Sequence, residues 1–234
     1  MVSNFYGKFF LISQWLIRKI YPTYNVEIHE KAQDPVVYIS HHQNLFNPFI
    51  IYLWFPKSLR TWILHVFLDR RTCYQQYVDY TFTKRMGMNK TIAKICAYPL
   101  SFIISKLLKS GKGIPVYRGS RKIINTFRLS VEALKRGESI VIYPTIDYTN
   151  TSNETKAMYE GYLYIEKYFF KETGQHVRFV PLHVSKKNRL IIADEPISFQ
   201  DNEDFSEGQK RIEQYIQNKL YKLAEKCGDL ESNT

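Results

Sequence analysis

The chain has 234 residues, 44% of them hydrophobic and 24% charged. That length supports one medium domain with a substantial core, and that balance excludes a disordered or fibrous chain. Lys and Arg number 33 against 22 Asp and Glu, a formal charge of +11, which predicts anionic partners: anionic lipid, nucleotide cofactors, an acidic carrier protein or nucleic acid.

The first expected element is a helix over residues 5–20, carrying Phe9-Phe10-Leu11-Ile12 and Trp15-Leu16-Ile17, with Arg18 and Lys19 at its end. It is well short of the ~20 apolar residues of a spanning helix, and no small-residue cleavage site follows, so a secretory signal is not expected. Two readings stand open for it: a helix lying in a membrane interface, or one packed on the core. Residues 1–30 are therefore set apart as an N-terminal amphipathic segment, and residues 31–234 as the main domain.

Val36 to Ser40 is β-branched and reads as a buried strand. It runs into Ser40-His41-His42-Gln43-Asn44-Leu45-Phe46-Asn47-Pro48, where Asn47 is a good N-cap and Pro48 suits the first position of a helix reaching Trp54. Arg60 to Phe67 alternates as a strand does, while residues 71–90 give no clear pattern. Thr91 to Lys109 is helical in pattern, with Pro99 expected to kink or split it. Its middle, Ile95 to Ser105, carries no charge, which fits either an interfacial or a buried helix.

Gly113 to Val116 is a short strand ending near Arg118. Ile123, Ile124, Phe127, Val131 and Leu134 mark a helix that Gly137 stops. Ser139 to Tyr143 is a second buried strand, broken by Pro144. A helix over Glu154 to Phe170, strands at Val177 to Val184 and Leu190 to Ala193, and a last amphipathic helix through Ile212, Ile216, Leu220 and Cys227 complete the order. Strands alternating with helices predict an α/β fold, a mostly parallel central sheet flanked by helices. Sites in such sheets form at the carboxyl ends of strands, and His42, Arg118 and the segment after Tyr143 all follow strand ends.

Cys73, Cys96 and Cys227 are odd in number, and no pair has CxxC spacing. Neither a disulfide framework nor a zinc knuckle is expected, and a reducing compartment is. His41, His65, His176 and His183 show no metal spacing, and the Gly-rich phosphate loop is missing. Among the remaining polar residues His42 is the candidate general base. Asn47, five residues on, can loop back to orient its ring.

Four blocks carry a resemblance. Ser40-His41-His42-Gln43-Asn44-Leu45-Phe46-Asn47-Pro48 resembles the Ser-Asn-His-x4-Asp-Pro block of the glycerolipid (lysophospholipid and glycerol-3-phosphate) acyltransferases. Gly113-Ile114-Pro115-Val116-Tyr117-Arg118 resembles their second block. Gly137-Glu138-Ser139-Ile140-Val141-Ile142-Tyr143-Pro144 resembles the lead-in of the third, and Phe179-Val180-Pro181-Leu182-His183-Val184 the fourth. They occur in the family's order.

The resemblance implies a fatty acyl transfer from acyl-CoA or acyl carrier protein to a lysophospholipid hydroxyl. It gives His42 the base role, Asn47 the orienting position and Arg118 a phosphate contact. No metal or resident cofactor is implied, and no nucleic-acid partner is expected. The expected place is an anionic membrane surface, peripherally on the cytoplasmic face.

Two positions depart from the family. Asn47 stands where the family has Asp. In serine proteases the equivalent Asp-to-Asn change lowers kcat by about 10⁴. The family's Pro-Glu-Gly-Thr-Arg is here Pro144-Thr145-Ile146-Asp147-Tyr148-Thr149, without its Arg. Asp147 is the carboxylate that could stand in for the missing Asp. Thr145, Tyr148, Thr149 and Pro181 are the candidate acceptor contacts. The alternative is a catalytically degenerate member of the same fold that binds lipid or acyl chains.

Overall fold

The structure, a computed structural model, describes residues 5–144 and 160–230. The chain divides into two compact units, one of residues 1–16 and 60–126, the other of residues 17–59 and 127–234.

The larger unit is built on five strands: β1 (Asn25–Ile28), β2 (Val37–Ile39), β5 (Ser139–Ile142), β6 (Phe179–Ser185) and β7 (Leu190–Ala193). Their order is β1-β7-β6-β2-β5. β2 pairs parallel with β5 (Val37 opposite Ile140) and with β6 (Val37 opposite Phe179), and β1 pairs parallel with β7. Only the hairpin β6–β7 is antiparallel, with Leu182 opposite Ala193. The α/β class and the mostly parallel sheet are as the sequence predicts.

The interior of this sheet follows from composition. All residues of β2, β5 and β6 are buried, which accounts for their largely apolar composition where a half-exposed strand would alternate. Period-two alternation sorts the two faces. Tyr38, Val180, Leu182, Val184, Ile191 and Ala193 join Ile50 and Ile51 of α2 (Phe46–Trp54) in one apolar cluster. On the other face Ile192 meets Leu223 and Cys227 of α7 (Phe205–Cys227). The sheet therefore lies between α2 and α7. Helices α5 (Ile123–Lys135) and α6 (Ile165–Thr173) complete the crossovers.

The smaller unit contains β3 (Leu59–Leu64) and β4 (Ile114–Val116), paired parallel with Trp62 opposite Ile114. It also contains α3 (Arg70–Gln76), continued by π-helix over Tyr77–Arg85, and α4 (Lys90–Ser110). Residues 71–90, featureless by periodicity, are helical. Thr83 Oγ1 donates to the Val78 carbonyl five residues back, at 2.8 Å, the reach that a π-turn requires. α4 runs unbroken through Pro99. Helix α1 (Lys8–Arg18) meets the end of α4, where the Gly7 amide donates to the Ser110 carbonyl at 2.8 Å and Phe10 N–H to Ser110 Oγ at 2.9 Å.

Three local expectations need revision. α2 begins at Phe46, so Asn47 and Pro48 lie inside its first turn and Asn47 is not its cap. Pro48 is tolerated there because amides of the first turn have no helical acceptor in any case. The strand after Arg60 stops at Leu64, and His65–Phe67 turn into 3₁₀ helix. β1 is an additional strand; it sits at the edge of the sheet, and its half-exposed Asn-Val-Glu-Ile carries too little apolar signal to read as one.

Candidate functional site

Past the carboxyl end of β2 the ladder continues one residue further, with Ser40 N–H donating to the Ile142 carbonyl at 3.0 Å. Ser40 is fully buried. The chain then leaves the sheet, and His42 heads a 3₁₀ turn over Gln43–Leu45. Gln43 has φ 39° and Leu45 φ 73°. Both are left-handed conformations that a side chain resists, at about 1–3 kcal/mol each. Such strain concentrates at functional turns and persists only where its surroundings enforce it.

The half-buried His42 ring is fixed by that turn. Leu45 N–H donates to His42 Nδ1 at 3.3 Å. The ring also stands edge-on to Tyr143, with centroids 5.7 Å apart and planes at 78°. Tyr143 follows β5, so two neighbouring parallel strands bring their carboxyl ends to one place. An Nδ1 that accepts a hydrogen bond carries no proton, so the neutral ring in this geometry holds its proton on Nε2.

Asn47 is fully buried behind this turn. Its Nδ2 donates to Ser40 Oγ at 3.5 Å, and its Oδ1 meets no hydrogen-bond donor among the described residues. The structure thus brings Asn47 to Ser40 and His42 to Tyr143, both at the carboxyl ends of β2 and β5. Ser40 and Tyr143 flank the motif in sequence, but nothing in their residue type singles them out, and the Leu45 amide is invisible without the turn.

Pro181 lies in β6 opposite Ile39, in the same unit. Arg118 lies in the smaller unit, exposed in the turn after β4 and without an ion-pair partner among the described residues. Beside it Tyr117 stacks on His65 at 4.7 Å. Thr145, Asp147, Tyr148 and Thr149 lie outside the described residues.

Two further polar clusters lie in the larger unit. His176 Nδ1 meets Glu166 Oε1 at 2.6 Å and its Nε2 meets Asp201 Oδ1 at 3.2 Å, while Val177 N–H donates to Glu166 Oε2 at 2.8 Å. Burial pulls the His176 pKa down, but the two carboxylates outweigh it and hold it above the ordinary imidazole value. In the second cluster, His183 Nε2 meets Asp229 Oδ2 at 2.9 Å beside Cys227. Cys73 and Cys227 do not suit nucleophilic catalysis. Burial pushes the Cys73 thiol up to about 11 and also raises that of Cys227, whereas reactive thiols are lowered.

No family model matches the chain, and no curated protein matches it. Among solved structures the chain is similar to the crystal structure of the 1-acyl-sn-glycerophosphate (LPA) acyltransferase, PlsC, from Thermotoga maritima. The two share 15% identity over 92% of this chain and 77% of that one, with a TM-score of 0.44.

Proposed function

We propose that this protein is an O-acyltransferase that moves a fatty acyl group from acyl-CoA or acyl carrier protein to a lysophospholipid hydroxyl, with His42 as general base. The observation that carries the reading is the placement of His42. It stands at the carboxyl end of a buried parallel strand, in a turn held in strained backbone, inside the first of the four blocks that resemble the glycerolipid acyltransferases. Ligand sites in parallel sheets occupy that position.

In the proposed reaction a ring nitrogen of His42 takes the proton of the acceptor hydroxyl. The oxygen attacks the thioester carbonyl, and the collapsing adduct expels the thiolate, which receives the proton from the imidazolium. For Nε2 to act as the base, the ring proton must move to Nδ1 and find an acceptor there. Asn47 Oδ1 is the unmet acceptor behind the turn, and the Asp147 carboxylate is the candidate for stabilising the charged ring. Arg118 takes the phosphate contact that the resemblance assigns, with Thr145, Tyr148, Thr149 and Pro181 as the further acceptor contacts.

The proposed place is the cytoplasmic face of an anionic membrane. α4 is long and apolar enough by length and composition to cross a bilayer. Lysines at both its ends and Pro99 within it suit a helix lying in the interface better. Its Ile95, Tyr98, Phe102 and Ile103 are exposed, as are Ile12 and Trp15 of α1. Basic groups interleave with them: Arg70 lies over the Tyr98 ring at 4.8 Å and Lys106 over the Phe9 ring at 4.7 Å.

The test is acyl thioester consumption by the purified chain across a panel of lysophospholipid acceptors. Consumption is expected only with an acceptor present, and His42→Ala is expected to lower it by about 10²–10⁴. Turnover untouched by that substitution would sink the assignment. The second reading, a lipid or acyl binder without chemistry, is favoured by one observation: His42 Nδ1 accepts from Leu45 while the Asn47 oxygen goes unused.

A further inference from the structure

His183 and Asp229 are 46 positions apart in sequence, yet the fold places them with Cys227 at one point on the α7 face of the sheet. His183 stands in the buried strand β6 and is 2% exposed. Its neighbours Leu182 and Val184 point into the α2-side core, so alternation turns His183 to the other side. Cys227 is the last residue of α7, and Gly228, in the left-handed conformation (φ 65°), folds the chain back so that Asp229 reaches His183. The His183, Cys227 and Asp229 donor atoms all lie within 4.8 Å of one another.

We propose that these three side chains bind a divalent transition-metal ion of the zinc class. Imidazole nitrogen, thiolate sulfur and carboxylate oxygen are the three donor types that zinc takes, at about 2.0–2.1 Å for N, 2.3 Å for S and 2.0–2.2 Å for O. Tetrahedral zinc holds such donors about 3.3–3.7 Å apart, within the span found here. The His183–Asp229 separation of 2.9 Å need widen by only a few tenths of an ångström to admit the ion in place of the proton they share. Thiolate and carboxylate together neutralise the ion's charge, as burial requires.

The surroundings brace the donors. Asn188 Nδ2 donates to the Cys227 carbonyl at 2.9 Å, and Asn188 N–H donates to Ser185 Oγ at 3.1 Å. The hairpin between β6 and β7 thus holds the end of α7 in place. The fourth ligand of a tetrahedral ion would be water or the second oxygen of Asp229. The ion would clamp the end of α7 to β6, a structural role separate from the His42 turn and independent of whether that turn is catalytic.

The test uses the full chain with the exposed Cys96 replaced (Cys96→Ser), stripped with chelator and titrated with Co²⁺. One equivalent is expected to give visible ligand-field bands and a near-ultraviolet thiolate-to-cobalt band, both bleached by Zn²⁺. Cys227→Ser is expected to remove the thiolate band, and His183→Gln to weaken Co²⁺ binding at least tenfold. Should either variant misfold, X-ray absorption of the Zn²⁺-loaded parent decides: one sulfur at about 2.3 Å with N/O at about 2.0 Å is the expected shell. The absence of a thiolate band, its survival in Cys227→Ser, or a shell of N/O ligands alone would overturn the site.

Discussion

Asn47 carries a buried amide oxygen with no donor among the described residues, and a buried acceptor left without one costs about 1–3 kcal/mol. Restoring the carboxylate with Asn47→Asp gives the His42 ring a charged acceptor, and it favours the proton on Nδ1 that a base working through Nε2 needs. The expected result is thioester turnover raised about tenfold or more, together with a lower urea midpoint, because a carboxylate is costlier to bury than an amide. Turnover that stays at zero points instead to the binding reading. The placement of His42 just past a buried strand was legible from the apolar run before it. The partner that actually holds Nδ1 was not, because the Leu45 amide reaches the ring only through a left-handed leucine that no propensity rule anticipates. The His183–Asp229 contact was equally hidden, since long-range convergence leaves no mark in local spacing.

At the scale of elements the same logic separates what periodicity reveals from what it cannot. The largely apolar β2, β5 and β6 announce themselves because both of their faces are covered, whereas β1 at the sheet edge is nearly silent. The start of α2 was displaced because Asn47 and Pro48 look like a cap, while the helix begins two residues before Pro48, at Phe46. Pro99 was expected to kink or split α4, and the helix is not split. It has little core to disturb there, since Ile95 and Tyr98 are exposed. α7 gives the element-scale prediction. Asp204 caps it by accepting from the amides of Ser206 and Glu207. A Cβ on the buried Gly208 would lie 2.5 Å from the Phe199 ring, which is itself stacked on Phe205 at 5.3 Å. Alanine gains about 1 kcal/mol of helix propensity, but overpacking costs about 1–3 kcal/mol. Gly208→Ala is expected to lower the urea midpoint, and a raised midpoint would mean that the Phe199 ring yields freely.

For the whole molecule, the charge of +11 and the exposed apolar side chains of α1 and α4 converge on one expectation. The protein should cosediment with vesicles containing phosphatidylglycerol and not with pure phosphatidylcholine, and raising the salt to 0.5 M should release much of it, as each basic residue near the surface contributes about 1 kcal/mol. Replacing exposed apolar residues, as in Ile95→Glu with Phe102→Glu, should weaken binding several-fold at low salt. Binding indifferent to both lipid charge and these residues would remove the membrane from the proposal. At this scale the α/β class was readable from the alternation of strands and helices. The division into two units was not, because none of its three boundaries carries a linker composition.

The strand order has a consequence for how the chain is made. β2 finds its partners in β5 and β6, and Ser185, the end of β6, comes 146 residues after Ile39. At a synthesis rate of roughly 5–20 residues per second, the three apolar residues of β2 wait about 7–30 s before their second partner exists. Helices form in microseconds or less, so α2 is available to fold over the Val36–Ile39 segment long before the sheet can close. The strand that delivers His42 is thus exposed to misassembly on the ribosome until β6 has been made, and this chain is one whose yield should respond to chaperones that shield short apolar segments.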